Sequence, residues 1–432
     1  MMGPMAIFQP LRTAVLALAL LGAPMAAAAE PDCAAKPFDA AAAWAEVRKE
    51  LTDNYSYWDR IDASAAFDAA TPAMLAAPDR LAFADRLETL LLLFQDSHLH
   101  VSPTSKPSRA WVPSAADLWF ADVGGKLVAS DVKLGSVAAE RGVRPGWELQ
   151  TLDGADPREA ARKQFAAVGI TPDAAQLTYA VNALAAGRLD QPRHFAFRIR
   201  GKTVRLELPP GYGSVRRPAE PLTVSHHRDA AGRDVAVLRI NNSLGEPKLI
   251  AAFDAAIAAV PPASAVIVDM RDTPSGGTST VARAIIGHFV SQAAPYQRHE
   301  LTVERLQSGV PRIWLEYVQP RAPLHSAPVV LAGRWTGSMG EGIVIGLNAA
   351  GKARMIGSPM GRLLGAIIQD EMPTACITVS FANEKLWHVD GRLREDVLPD
   401  VGLPSADLAA DGSDAGLALA LRTLGADRPP AP

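Results

Sequence analysis

Five short runs of almost unbroken apolar residues constrain this chain more than any other feature. They are "DVAVLRI" (234–240), "SAVIVDM" (264–270), "APVVLA" (327–332), "ARMIG" (353–357) and "ACITVSF" (375–381). A strand buried on both faces reads as continuously apolar, whereas a half-solvated strand alternates. Helical patterns lie between them: "EPKLIAAFDAAIAAV" (246–260), "TSTVARAIIGHFV" (278–290) and "EGIVIGLNAAG" (341–351). Strand and helix in alternation specify an α/β layer with largely parallel strands over residues 213–425.

The upstream region follows other rules. "AAAWAEVRKELTDNY" (41–55) spaces Trp44, Val47, Leu51 and Tyr55 as one face of a helix, and "RLAFADRLETLLLLF" (80–94) does the same with Phe83, Leu87, Leu90, Leu91 and Phe94. This predicts an N-terminal helical region over 30–110, ending at "QDSHLHVSP", where Pro103 enforces an extended exit. From Trp111 the pattern changes again. "LWFADV" and "KLVASDV" flank Gly124-Gly125 as a hairpin, and "FAFRIRGKTVRLELPPG" closes the segment as a second one.

The first 29 residues form a targeting segment: Arg12, then "AVLALALLGAPM", then a small-residue cleavage site after Ala29. The apolar run is too short to span a bilayer and is interrupted by Pro24. We therefore expect export, into a bacterial periplasm, with no membrane span after signal removal. A disordered tail is expected over 426–432. Cys33 and Cys376 are the only cysteines, and an oxidising compartment permits their pairing. A net charge of −3 offers no footprint for nucleic acid. No Cys/His cluster has metal spacing, and His226-His227 reads as an exposed loop pair, so neither metal nor cofactor is expected.

Chemistry concentrates in "GRWTGSMGEG" (333–342), where Ser338 sits between a buried strand and a buried helix. A serine there either caps the helix or is presented as a nucleophile. A second strand–glycine–helix junction, "AVIVDMRDTPSGGTS", can direct backbone N–H groups outward as an oxyanion hole does.

In order and spacing, "VIVDMRDTPSGG", "PVVLAGRWTGSMGEG", "ARMIGSPMG" and "DGRLREDVLPDVGLP" resemble the tail-specific, or carboxyl-terminal processing, serine peptidases and their tricorn relatives. "LGSVAAERGVRPGWELQTLDG" (134–154) strongly resembles a PDZ domain, with Trp147 where an acidic residue is usual. The resemblance implies a ClpP/crotonase-like α/β core, a PDZ-like domain over 111–212, and polypeptide substrates recognised through their C-termini by strand addition.

It also implies roles. Ser338 matches the nucleophile, and the N–H of Met339 with that of Gly276 or Gly277 matches the oxyanion hole. The lysine base of the processing proteases is missing: "GSPMGRLLGAIIQ" has Arg362 in its place, and arginine stays protonated. Ser97-His98 in "QDSHLHV" matches the tricorn-type alternative, with His98 as base and His100 facing the other way. Glu395, with Asp396 in reserve, matches the acid that orients the imidazole. Such a partner implies activity that falls on acidification through a pKa near or above ~6.5. Two other readings remain. One is an inactive peptide- or lipid-binding relative; the other is an α/β-hydrolase esterase using Ser338, Asp370 and His388.

Overall fold

The computed structural model describes residues 37–102, 109–211 and 214–426. The targeting segment, Cys33 and residues 427–432 lie outside the described residues. Cys376 is disulfide-bonded.

Three helices open the fold: α1 (Ala40–Asn54), α2 (Ala63–Leu75) and α3 (Arg80–Leu91). Each starts at an aspartate whose carboxylate accepts first-turn N–H groups, Asp39, Asp62 and Asp79. After α3 the chain turns at Gln95, which has φ 52°, and enters a two-residue strand, β1 (His100–Val101).

The segment expected to be PDZ-like holds an antiparallel sheet, β2 (Leu118–Val123), β3 (Lys126–Val132), β4 (Glu148–Leu152), β5 (Arg193–Ile199) and β6 (Lys202–Leu208), in that spatial order. It carries a short helix α4 (Val137–Glu140) and two longer ones, α5 (Pro157–Ala167) and α6 (Ala174–Ala186).

The remainder is mixed α/β with two sheets. One contains β7 (Leu222–Arg228), β8 (Asp234–Ile240), β9 (Ala265–Asp269), β12 (Val329–Ala332), β13 (Arg354–Gly357) and β16 (Val401–Gly402). All neighbours in it are parallel except β7 with β8. Helices α7 (Lys248–Ala259), α8 (Ser279–Gly287) and α10 (Met339–Ala349) contribute Phe253, Ile285 and Ile343 to the core on one face. Leu417 and Leu421 of α11 (Ala415–Ala426) pack on the other. The other sheet is antiparallel: β10 (Ala294–Leu301), β11 (Arg312–Val318), β14 (Ala366–Met372) and β15 (Ile377–Trp387), with β1 paired to β15.

Several expectations change. "ACITVSF" belongs to the antiparallel sheet, not the parallel one. His226 and His227 lie on the edge strand β7, whose solvated face made it read as a loop. The helical end reaches Ala426 because Leu424 still packs on the sheet. The N-terminal helices, the 118–208 sheet and the inner face of β14–β15 share one continuous core. That core carries the 95–101 segment into the α/β layers.

Phe94 anchors that segment: it is fully buried, with its ring edge-on to Tyr55 at 5.2 Å. Phe94→Ala should cost about 3–5 kcal/mol in urea denaturation. A loss below about 1 kcal/mol would mean the segment is held by other means.

Candidate active site

Ser338 stands at the start of α10 with φ 54° and ψ −119°. A side chain in the left-handed region is strained and persists only where its surroundings enforce it. They do so here. Thr336 Oγ1 donates to Met270 C=O (2.9 Å) and accepts from Gly333 N–H (3.0 Å), while Gly337 N–H donates to Thr273 C=O (3.2 Å). Ser338 N–H donates to Glu341 Oε2 (3.0 Å). The side chain is left half-buried at a helix N-terminus, and Met339 N–H, the first of the helix, makes no hydrogen bond among the described residues.

The 271–277 turn lies against this one. Gly276 (φ 64°) is required there, since a β-carbon on it would fall 2.8 Å from Ser338 Oγ. The two candidate glycines then separate. Gly276 N–H donates to Thr273 C=O at 3.3 Å, whereas Gly277 N–H makes no hydrogen bond among the described residues and its residue is exposed. Gly276 supplies space for the serine, and Gly277 retains an unspent donor. The turn is pinned elsewhere by Ser114 Oγ to Pro274 C=O (2.8 Å) and by Asn242 Oδ1 accepting from Ser275 N–H (3.1 Å).

His98 is 4% exposed, and its Nδ1 lies 2.7 Å from Leu364 C=O. A carbonyl only accepts, so Nδ1 carries the proton and Nε2 keeps its lone pair. This is the tautomer a general base needs. Asp96 fixes both sides of the contact: its Oδ1 accepts from His98 N–H (2.9 Å) and Leu364 N–H (3.1 Å), while its Oδ2 accepts from Tyr55 hydroxyl (2.9 Å). The same loop, Gly361–Gly365, is held to the Ser338 turn by Gly361 N–H donating to Thr336 C=O (2.8 Å). Glu341 completes the connection. Its Oε1 accepts from Arg362 N–H (2.8 Å) and its Oε2 from Leu363 N–H (3.2 Å). No hydrogen bond joins His98 to Ser338 among the described residues.

The other expected groups stand apart. Glu395 is buried beside the Tyr57 hydroxyl, with Arg394 and Asp396 as its charged neighbours, and no hydrogen bond joins it to His98 among the described residues. The imidazole is oriented by Leu364 C=O. Arg362 points away from the serine, its guanidinium on Glu395 C=O and Asp396. Ser97 accepts from the His100 ring through its carbonyl (2.8 Å), and the His100 ring lies tilted against Trp111 with centroids 3.8 Å apart. Lys352 Nζ donates to the helix end at Ala349. The esterase arrangement is not assembled: His388 pairs with Asp390 at 2.9 Å, and Asp370 on β14 neighbours Glu50.

Burial pushes the His98 pKa down to about 3, helped by the positive charge of Arg394 and opposed by the Leu364 and Gly365 carbonyls. The upward shift expected from a carboxylate partner is thus reversed, and the resting imidazole is neutral. Burial pushes Glu341 and Asp96 up to about 7. Sequence reading assigned no role to Asp96, Glu341, Leu364 or Arg394. Only Glu341 carried a signal, the Ser-x-x-Glu capping-box spacing.

A raised carboxyl binds its proton more tightly folded than unfolded, so its contribution is fully present below the unfolded pKa and is lost as pH rises to the folded one. The stability of the wild type relative to Glu341→Gln should therefore fall by up to about 3 kcal/mol between pH ~4.5 and ~7. Thermal denaturation across that window checks it, and a difference that rises with pH contradicts the burial argument.

No family model and no curated protein matches the sequence. Solved structures do. Mature CPAF complexed with lactacystin superposes with a TM-score of 0.59 at 15% identity, covering 86% of this chain and 94% of that one. The photosystem II D1 C-terminal processing protease gives 0.53 at 16% identity, covering 91% and 98%. The chain has the mixed α/β, several-sheet fold of these proteins over nearly its whole described length.

Proposed function

We propose that the protein is an exported serine endopeptidase of the tail-specific type, with a tricorn-like histidine base. Similarity in fold to a C-terminal processing protease supports peptide-bond hydrolysis. One observation carries the assignment of roles: the loop that bonds the Ser338 turn also holds His98 as its Nδ1–H tautomer.

In this reading His98 Nε2 takes the proton from Ser338 Oγ as the oxygen attacks a substrate carbonyl carbon. The N–H groups of Met339 and Gly277 receive the negative charge that develops on the carbonyl oxygen. Imidazolium then returns the proton to the leaving amine as the C–N bond breaks. Water, deprotonated by the same nitrogen, releases the acyl group and restores the serine.

A fluorophosphonate probe should label the wild type and not Ser338→Ala, and His98→Ala should slow labelling at least ~10²-fold. Labelling that persists in Ser338→Ala rejects the nucleophile. A second reading, a non-catalytic peptide- or lipid-binding protein, is favoured by the absence, among the described residues, of a Ser338–His98 hydrogen bond. It predicts no labelling of the wild type at any pH.

Export is supported by the targeting segment and by a disulfide at Cys376, which belongs to an oxidising compartment. Mass spectrometry of the secreted chain should find a mature N-terminus near Glu30, and an intact Met1 contradicts export by cleavage.

A further inference from the structure

We propose that the module of residues 118–208 is a fixed brace for the 271–277 turn, with Lys133 as its positioning residue, and not a receptor for peptide ends. The proposal rests on the peptidase reading for its kinetic consequences and on geometry for the rest.

A peptide that adds to a sheet needs the free backbone groups of an edge strand. In this module β2 is an edge, next to α6. Its central outward pair is already taken. Phe120 N–H donates to Asn182 Oδ1 (2.7 Å), and Asn182 Nδ2 donates to Phe120 C=O (2.9 Å) and Thr178 C=O (3.0 Å). Asn182 is fully buried, so its carboxamide makes from α6 the bonds that an added strand would make. Nearby, Arg193 is fully buried against Asp117 (2.7 and 3.1 Å) and Ala185 C=O (3.0 Å). The groove is filled by the chain itself.

The same module reaches the catalytic layers with charge. Lys133, just past β3, is wholly buried, with Nζ 2.9 Å from Asp272 Oδ1 and 3.3 Å from Arg271 C=O. Its ammonium lies 5.0 Å from the ring centroid of Trp335. One cation thus touches both turns that meet at Ser338, the first through Asp272 and the second through Trp335. Arg217 holds the other side of Asp272 at 3.1 Å, and Ser114 Oγ holds Pro274. A point charge fixed between two turns sets their spacing, and with it where Gly276 and Gly277 stand relative to Ser338.

The test uses the full chain. In Lys133→Met, amide hydrogen exchange at Thr273 and Gly276 should quicken at least ~10-fold, with α7 unchanged as an internal control. Fluorophosphonate labelling and kcat should fall up to ~10²-fold, with KM within about two-fold. Lys133→Met combined with Asp272→Asn removes both buried charges and leaves only the partly exposed Arg217, which water can solvate, so Tm should recover in part while kcat stays low. Recovery of kcat together with Tm overturns the positioning role, as does unchanged exchange in the turn. Peptides with a free apolar C-terminus and their amidated twins should leave the labelling rate alike. Saturable activation by the free form alone overturns the brace. If the wild type is never labelled, the peptidase reading fails, and exchange in the turn still decides the brace.

Discussion

A single buried carboxylate holds the Ser338 turn and the Gly361–Gly365 loop together. Glu341 is fully buried, one turn into the helix that Ser338 begins. It accepts the N–H groups of Ser338, Arg362 and Leu363, and Arg394 lies 3.8 Å away. Without those partners the carboxylate would be costly to bury. With them it fixes the nucleophile turn and the Gly361–Gly365 loop as one unit. Arg394 binds the far side of that loop through Leu363 and Gly365 C=O (2.7 and 2.8 Å). His98 and Asp96 then attach to Leu364, which is how a residue of the N-terminal region becomes part of a site built 240 residues downstream.

The second constraint lies between the 118–208 module and the α/β layers. Asp131 faces Arg334 (3.8 Å), Lys133 faces Asp272, and Leu134 N–H donates to Asp407 (3.0 Å). These groups are nearly all buried, so sliding either partner strands a charge in a poorly solvating interior. Such pairs contribute more to register than to net stability. Residues 131–134 and 333–335 are therefore fixed relative to each other, and Trp335 is three residues from the serine.

Where the chain was legible, physics had left a periodic trace. The buried strands β8, β9, β12 and β13 are apolar at nearly every position, and α1 and α3 carry clean helical faces. The hairpin β10–β11 was illegible because Arg298, Glu300, Arg312 and Glu316 sit among its apolar residues and pair with neighbours that sequence does not reveal. The two strand–glycine–helix junctions, at Ser338 and at Gly276–Gly277, could be read because turn chemistry is local. The partner of His98 could not. It is a backbone carbonyl 266 residues away, and every residue type supplies one. A search for a carboxylate led to Glu395, which is buried beside Tyr57 and Arg394 and not bonded to the ring.

The low basicity of His98 follows from the same arrangement and shows how it can be relieved. Burial disfavours imidazolium, and Arg394 adds repulsion. Arg394 is itself next to Glu341, whose pKa is raised to about 7. When Glu341 is protonated, the guanidinium acts on His98 with less countercharge around it, Glu395 being the carboxylate that remains beside it. When Glu341 is ionised, the pair is closer to neutral and the penalty on imidazolium eases. The developing oxyanion beside Met339 would act in the same direction, since a negative charge favours the protonated base. In the proposed mechanism, proton transfer from Ser338 would thus be coupled to the charge of a residue that touches neither the substrate nor the imidazole. The capping carboxylate that holds the serine in place would then also set how readily its proton can leave in the proposed reaction.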